Sequence, residues 1–433
     1  MSKLNCLKFH IFYVFIILCI FVNVSANPDT KFTFPFTPHF GKLNLISIPI
    51  HISKTTFLIP IDINSNITWL RKNSSLSLPE SYMIWPQCKM PDTTIKVIET
   101  GNVSFSKTFK IENFTYILIN EEDTHCQHNS SLGLARKFDN KTFSLAEKFN
   151  QMGVSSSFSL SLINPLEFMG DLRFGNFNDE IADAENQAFS CDLVPNDSKW
   201  SCLLRGIFVG DFPNDTIISN DRNTSIITYQ INANDKHYRE INDSLTIDTL
   251  QQFIFVDESY MNFLLDKLFK HYINIGTCVY QQRSSRNFFG FYCSDEVLVT
   301  FPSFHFLFNE TLLTLEPKYL FKKITTHSYM FIMVYSNIQK KWTFGTLLLL
   351  KYKMIFNSEN EKITFIGNSV FNQAKVQGDF IPKETKELVI DIVPMRKAFT
   401  FSFSIIIALS VLGLSHLVTT LCQQKTYELP IIV

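Results

Sequence analysis

Short apolar runs broken by Asn, Asp, Ser and Pro recur along the chain. Leu43 to Ile52, Thr115 to Ile119, Phe158 to Leu162 and Ile226 to Ile231 are rich in β-branched and aromatic residues and are bounded by turn formers, which predicts strands. Helical periodicity, with apolar residues three and four apart, is clear only at Thr142 to Met152 and Ser259 to Tyr272. The pattern therefore predicts an all-β protein with few helices. It also repeats. Phe57 to Ile61 runs into Asp62 and is followed downstream by Leu132-Gly133-Leu134-Ala135; Leu245 to Ile247 runs into Asp248 and is followed by Trp342-Thr343-Phe344-Gly345-Thr346. A duplicated β lobe, each half bringing one carboxylate to a shared cleft, accounts for that order.

The ends of the chain have a different texture. Lys3 and Lys8 precede an apolar stretch from Ile11 to Val24, and Val24-Ser25-Ala26 suits signal-peptidase cleavage, so residues 1–26 read as a secretory signal. Its apolar core of 14 residues is too short to span a bilayer, which takes about 20. Residues 398–422 carry no formal charge over 25 positions and read as a transmembrane helix. The expected order is signal peptide 1–26, an N-terminal β lobe 27–190, a C-terminal β lobe 191–372, a stalk 373–397, the span 398–422 and a cytosolic tail 423–433. The polar stretch Asn178 to Pro195 would join the lobes. This is a single-pass type I topology, with the ectodomain in the secretory or endolysosomal lumen or outside the cell.

Composition fits that compartment. With 433 residues, 39 basic and 40 acidic, the chain is long enough for sizeable cores and has no charge excess that would attract nucleic acid. Eleven Asn-x-Ser/Thr acceptors, from Asn66 to Asn309, all fall in the expected ectodomain, which implies a glycoprotein. Six cysteines lie between the signal and the span, so three disulfides are expected out of 15 possible pairings. Sequential pairing, Cys88–Cys126, Cys191–Cys202 and Cys278–Cys293, closes each loop within one lobe. His125-Cys126-Gln127-His128 is the one metal-like cluster, but Cys126 is wanted for a bridge and no second cluster exists, so no metal is expected. Phenylalanine, at 43 residues against 14 glycines, has no functional explanation in the sequence.

These residues resemble the pepsin-like aspartic peptidases. Asp62-Ile63-Asn64-Ser65 with Trp69, Leu132-Gly133-Leu134-Ala135, Gly170 to Gly175, Asp248-Thr249, the Cys278 and Cys293 pair, and Phe344-Gly345 through Tyr352, Phe356 and Phe365 are similar to the family's motifs in the family's order. The resemblance implies a bilobal pepsin-like aspartic protease fold followed by the C-terminal transmembrane helix. It implies Asp62 and Asp248 as catalytic residues of an aspartic endopeptidase, with Ser65, Thr249, Gly133 and Gly345 in support, no cofactor, a monomer, and a peptide or protein substrate. Two close carboxylates share one proton, so one acts as base on a water while the other serves as acid toward the peptide carbonyl.

The sequence departs from the family's pattern at several of these places. The glycine after each aspartate motif is replaced by Asn64 and Leu250, a brace hydroxyl is replaced by Ile63, and Gln251 stands opposite Ser65. Alignment of Ile95 to Gly101 with the flap hairpin puts Ile98 where the family has Tyr, with Gly101 beside it. On glycine geometry the second loop is the more strained of the two, and Ser65 is expected to hydrogen-bond Asp62. An attenuated peptidase and a catalytically inactive protein, peptide-binding or structural, both fit these substitutions.

Overall fold

The computed structural model describes residues 31–377, apart from 39–45, 53–54, 72–95, 106–108, 120–130, 137–143, 196, 214–216, 222–225, 284–287 and 338–340. The expected signal peptide, Cys88 and Cys126, and the expected span at residues 398–422 lie outside the described residues. Among the described residues no helix is long and apolar enough to cross a membrane.

Strands dominate, as the short apolar runs predict. In Phe32–Pro38, Phe34 and Phe36 are buried while Thr33 and Pro35 face out, the period of two that a sheet with one covered face requires. Two large mixed sheets result, of 12 and 14 strands. The first runs from Ala188–Asp192 through Lys362–Ile366, Lys353–Asn357, Phe158–Asn164 and Met169–Phe174 to Phe32–Pro38, then on through Ile46–Ile52 to the hairpin Lys96–Ser104 and Lys110–Ile119. Strands from near the end of the described chain thus pair with strands of the first half: Phe356 stands opposite Phe158. The expected division at residues 190 and 191 is therefore crossed by a shared sheet, and Ala26–Gly378 forms one compact unit.

Three segments differ from the sequence reading. Asn178 to Pro195 is not an irregular connection: it holds a helix, Asn178–Ala184, and the strand Ala188–Asp192, which pairs with Lys362–Ile366. Gln373–Gln377, the start of the expected stalk, is a strand pairing in parallel with Ile226–Asn232; its alternate residue Ala374 is buried, which polar composition concealed. The helix expected to begin at Thr142 starts at Leu145, where Ser144 accepts the Glu147 amide hydrogen bond at 3.0 Å and caps it. The second helix runs Glu258–Asn274 with Asp257 as its cap and π geometry through Leu264–Phe269.

The phenylalanine excess has a structural role. Phe158, Phe356 and Trp200 pack edge-on and stacked, with centroids 4.7–5.6 Å apart, and Trp200 carries this cluster into the second sheet at Ser201–Val209. A second cluster stacks Phe269 on Phe291 at 3.7 Å, with Phe331 and Phe301 against them. Rings about 4.5–7 Å apart add roughly 0.5–1.5 kcal/mol per pair beyond burial. Cys191–Cys202 and Cys278–Cys293 are paired as expected. Cys191 is in the first sheet and Cys202 in the second, so that bridge joins the two sheets.

Candidate functional site

The first aspartate ends the strand Thr55–Asp62, whose Ile59 and Ile61 are fully buried. The strand runs parallel to Leu132–Gly133, with Ile61 beside Leu132 and Asp62 beside Gly133. Beyond Asp62 the chain turns: Ser65 N–H donates to Asp62 O at 3.4 Å, and Leu134 and Ala135 N–H donate to Asp62 O and Ser65 O at 2.9 Å. A Cβ on Gly133 would lie 2.7 Å from Ser65 O and 2.8 Å from Ile67 O. Glycine is required there because the backbone of the turn passes directly over it.

The second aspartate repeats the arrangement. Tyr238–Ile247 leads into Asp248 and runs parallel to Thr343–Phe344. Asp248 N–H donates to Phe344 O at 2.9 Å, Gln251 N–H to Asp248 O at 3.3 Å, and Thr346 N–H to Gln251 O at 2.8 Å. A Cβ on Gly345 would come within 2.4 Å of Gln252 C and 2.6 Å of Phe253 O. In both turns the amide two residues on reaches the carboxylate: Asn64 N–H to Asp62 Oδ1 at 3.0 Å and Leu250 N–H to Asp248 Oδ1 at 2.9 Å. Neither Asn64 nor Leu250 has positive φ. The turn thus closes without a glycine at these positions, and the expectation that Leu250 strains the second loop is corrected.

Hydrogen bonds cross between the turns. Thr249 Oγ1 donates to Ile61 O at 2.5 Å and accepts from Ile63 N–H at 3.3 Å. In the other direction Asn64 Nδ2 donates to Ile247 O at 2.7 Å, while Asn64 Oδ1 accepts from Trp200 N–H at 3.2 Å. Ile61 and Ile247 are the residues immediately before the two aspartates, so each turn holds the carbonyl that leads into the other. Ile63, with no hydroxyl to offer, is fully buried.

The electrostatics follow from this closeness. The Asp62 carboxyl is pushed up from 3.8 to about 7, chiefly by burial and then by the Asp248 carboxylate; hydrogen bonds from Asn64, Ser131 and Ser65 offset part of the rise. Asp248 itself is buried. The hydroxyl serving Asp62 is that of Ser131, whose Oγ donates to Oδ2 at 3.4 Å. Ser65 Oγ turns instead to Ile67 O at 2.9 Å, a correction to the sequence reading; Ser65 serves the turn through its backbone. Ser131 had one signal in the sequence, its position two residues before Gly133, which the parallel register carries to the end of the Asp62 strand.

The predicted flap segment lies in the antiparallel pair Lys96–Ser104 and Lys110–Ile119, with Phe105 N–H donating to Phe109 O at 3.1 Å beyond the strand ends. Ile98 and Gly101 are mid-strand, opposite Ile117 and Phe114. Ile98 is 63% exposed, whereas Tyr116 on the partner strand is buried and donates to Glu99 at 3.0 Å. No group of three or more His, Cys, Asp or Glu that could hold a metal occurs among the described residues.

No family model matches the chain, and no curated protein matches it. Among solved structures, the crystal structure of basic 7S globulin from soybean aligns over 79% of this chain and 98% of that one, with a TM-score of 0.53 and 12% identity. The fold is distantly pepsin-like. Mostly β, with two large mixed sheets and few helices, it is consistent with the bilobal form of that fold. The two aspartate turns share two hydrogen bonds, from the amide two residues on to the carboxylate and from the amide three residues on to the aspartate carbonyl.

Proposed function

We propose that the chain is an aspartic endopeptidase, with Asp62 and Asp248 as its catalytic pair. One observation carries the reading: two turns of the same geometry are stitched to each other, and the Asp248 carboxylate helps lift Asp62 to about 7. Such a pair holds one proton between two carboxyls across the acidic range. In that state a water held by the pair loses a proton to the charged carboxylate as it attacks the peptide carbon, and the protonated carboxyl hydrogen-bonds the carbonyl oxygen as charge builds there. Thr249 and Asn64 fix the loops, Gly133 and Gly345 let the supporting strands pass beneath them, and Ser131 and the Asn64 and Leu250 amides orient the carboxylates.

The proposed setting is a type I membrane glycoprotein with a lumenal or extracellular ectodomain, acting as a monomer on peptide or protein. The two disulfides and the exposed acceptors Asn102, Asn113, Asn242 and Asn309 support it.

The purified full chain should cleave members of a peptide library at acidic pH, with the rate falling as pH rises through about 7. Asp62→Asn and Asp248→Asn should each lower cleavage by at least about 100-fold. A second reading, a peptide-binding cleft without turnover, is favoured by Ile98, exposed and without a hydroxyl, at the position aligned with the family's tyrosine. Peptides retained by the chain but cleaved at no pH, or cleaved by both variants as fast as by the parent, would sink the peptidase reading, and the first of these results would put the binding reading in its place.

A further inference from the structure

We infer that Asn64 is a positioning residue that holds the two aspartate turns in register, supplying through its side-chain amide the brace that Ile63 cannot make. The inference rests on the aspartic-pair reading of the site. Thr249 ties the second turn to the carbonyl before Asp62. A matching tie from the first turn needs a donor aimed at the carbonyl before Asp248, and the buried, apolar Ile63 has none. Asn64 Nδ2 donates to that carbonyl, Ile247 O, at 2.7 Å.

The Asn64 amide carries its donor and its acceptor on two separate atoms of one rigid plane, so it reaches two partners that a hydroxyl's single oxygen, or a glycine, would not span. While Nδ2 holds Ile247, Oδ1 takes the Trp200 N–H at 3.2 Å, at the start of the strand Ser201–Val209. That strand pairs with Tyr238–Ile247, and Ile247 N–H itself donates to Trp200 O at 2.8 Å. One side chain therefore grips both partners of the strand pair that delivers Asp248. At the same time the Asn64 backbone N–H holds Asp62 Oδ1 at 3.0 Å. Changing this residue back to glycine should thus weaken the site, although glycine is the residue the family's motif would ask for.

Three variants of the full chain test this: Asn64→Gly, Asn64→Asp, and the double change Ile63→Thr with Asn64→Gly, which moves the brace from an amide to a hydroxyl. Three readouts apply: hydrogen exchange of the Trp200 amide, the titration midpoint of the Asp62 carboxyl followed by carbon NMR, and peptide hydrolysis. Asn64→Gly should speed Trp200 exchange at least about tenfold and lower the Asp62 midpoint, as looser turns part the carboxylates and admit water. Hydrolysis should fall by on the order of 10- to 100-fold. Asn64→Asp keeps the acceptor and loses the donor, so Trp200 should stay protected while the Asp62 midpoint moves. The double variant should return the midpoint and hydrolysis to within about threefold of the parent, leaving Trp200 unprotected. The exchange and titration readouts stand even where the parent hydrolyses nothing, so failure of the peptidase reading and of this one are separable. An Asp62 midpoint and Trp200 exchange unchanged in Asn64→Gly, or hydrolysis raised by it, would overturn the assignment.

Discussion

At the scale of single residues, the site is an energetic liability that its neighbours contain. Asp62 is lifted from 3.8 to about 7, so the fold binds a proton there more tightly than the unfolded chain does. The sign follows by linkage: the stability this group contributes is fully present below about pH 3.8 and is lost as pH rises to about 7. Asp62→Asn removes the charge while keeping the shape. Relative to the parent, it should therefore be more stable above pH 7, by roughly 2–4 kcal/mol, and near parity at pH 3.5. Denaturant midpoints of both proteins across that range check it, and a stability difference that does not change with pH would contradict the shift. The aspartates were legible in the sequence because each ends an apolar run. Asn64 and Ser131 were not, because an alignment judges Asn64 by the backbone freedom glycine would have, whereas its contribution comes from the side chain. Ser131 meets Asp62 only through the parallel pairing of strands 69 residues apart.

At the scale of elements, the aspartate turns depend on the strands that pass beneath them. Gly133 and Gly345 face backbone atoms, which cannot move aside as a flexible side chain could. Gly345→Ala, with its Cβ 2.4 Å from Gln252 C, should cost more than about 3 kcal/mol and disorder the second turn. Gly101→Ala should be nearly neutral, since its nearest neighbour would be Tyr116 Oη at 3.6 Å. Thermal unfolding of the two variants separates them, and equal losses would refute the distinction. The two glycines beneath the turns were readable from sequence for this reason: a residue without Cβ in the middle of an apolar run marks a close backbone approach. Strands hidden in polar composition were harder. Ala188–Asp192 and Gln373–Gln377 are strands because each borders another strand, a tertiary fact that their own residues carry weakly.

At the scale of the whole molecule, the two halves are bound together by more than the site. They share the sheet in which Lys353–Asn357 pairs with Phe158–Asn164, and Arg136, next after the first glycine motif, donates to Val194 O, Asp197 O and Glu361 Oε1. Cys191–Cys202 adds a covalent tie between the sheets across 11 residues. Replacing both cysteines by serine should lower stability by roughly 2–4 kcal/mol, and because Cys202 lies two residues from Trp200, the loss should appear in tryptophan fluorescence as part of global unfolding. A separate early transition would show instead that the sheets unfold independently. The paired aspartate turns were legible from the repeated order of aspartate and glycine, whereas the shared sheet was not, since it is assembled from strands far apart in the described chain.

The central claim is that Asp62 and Asp248 form one proton-sharing pair. Titration of the Asp62 carboxyl by carbon NMR, in the parent and in Asp248→Asn, tests it most directly. The midpoint should lie near 7 in the parent and fall when Asp248 is neutralised, with burial keeping it above the ordinary carboxylate range. A midpoint near 4 in the parent, unmoved by Asp248→Asn, would mean that the two carboxylates do not sense each other and that the pair does not exist.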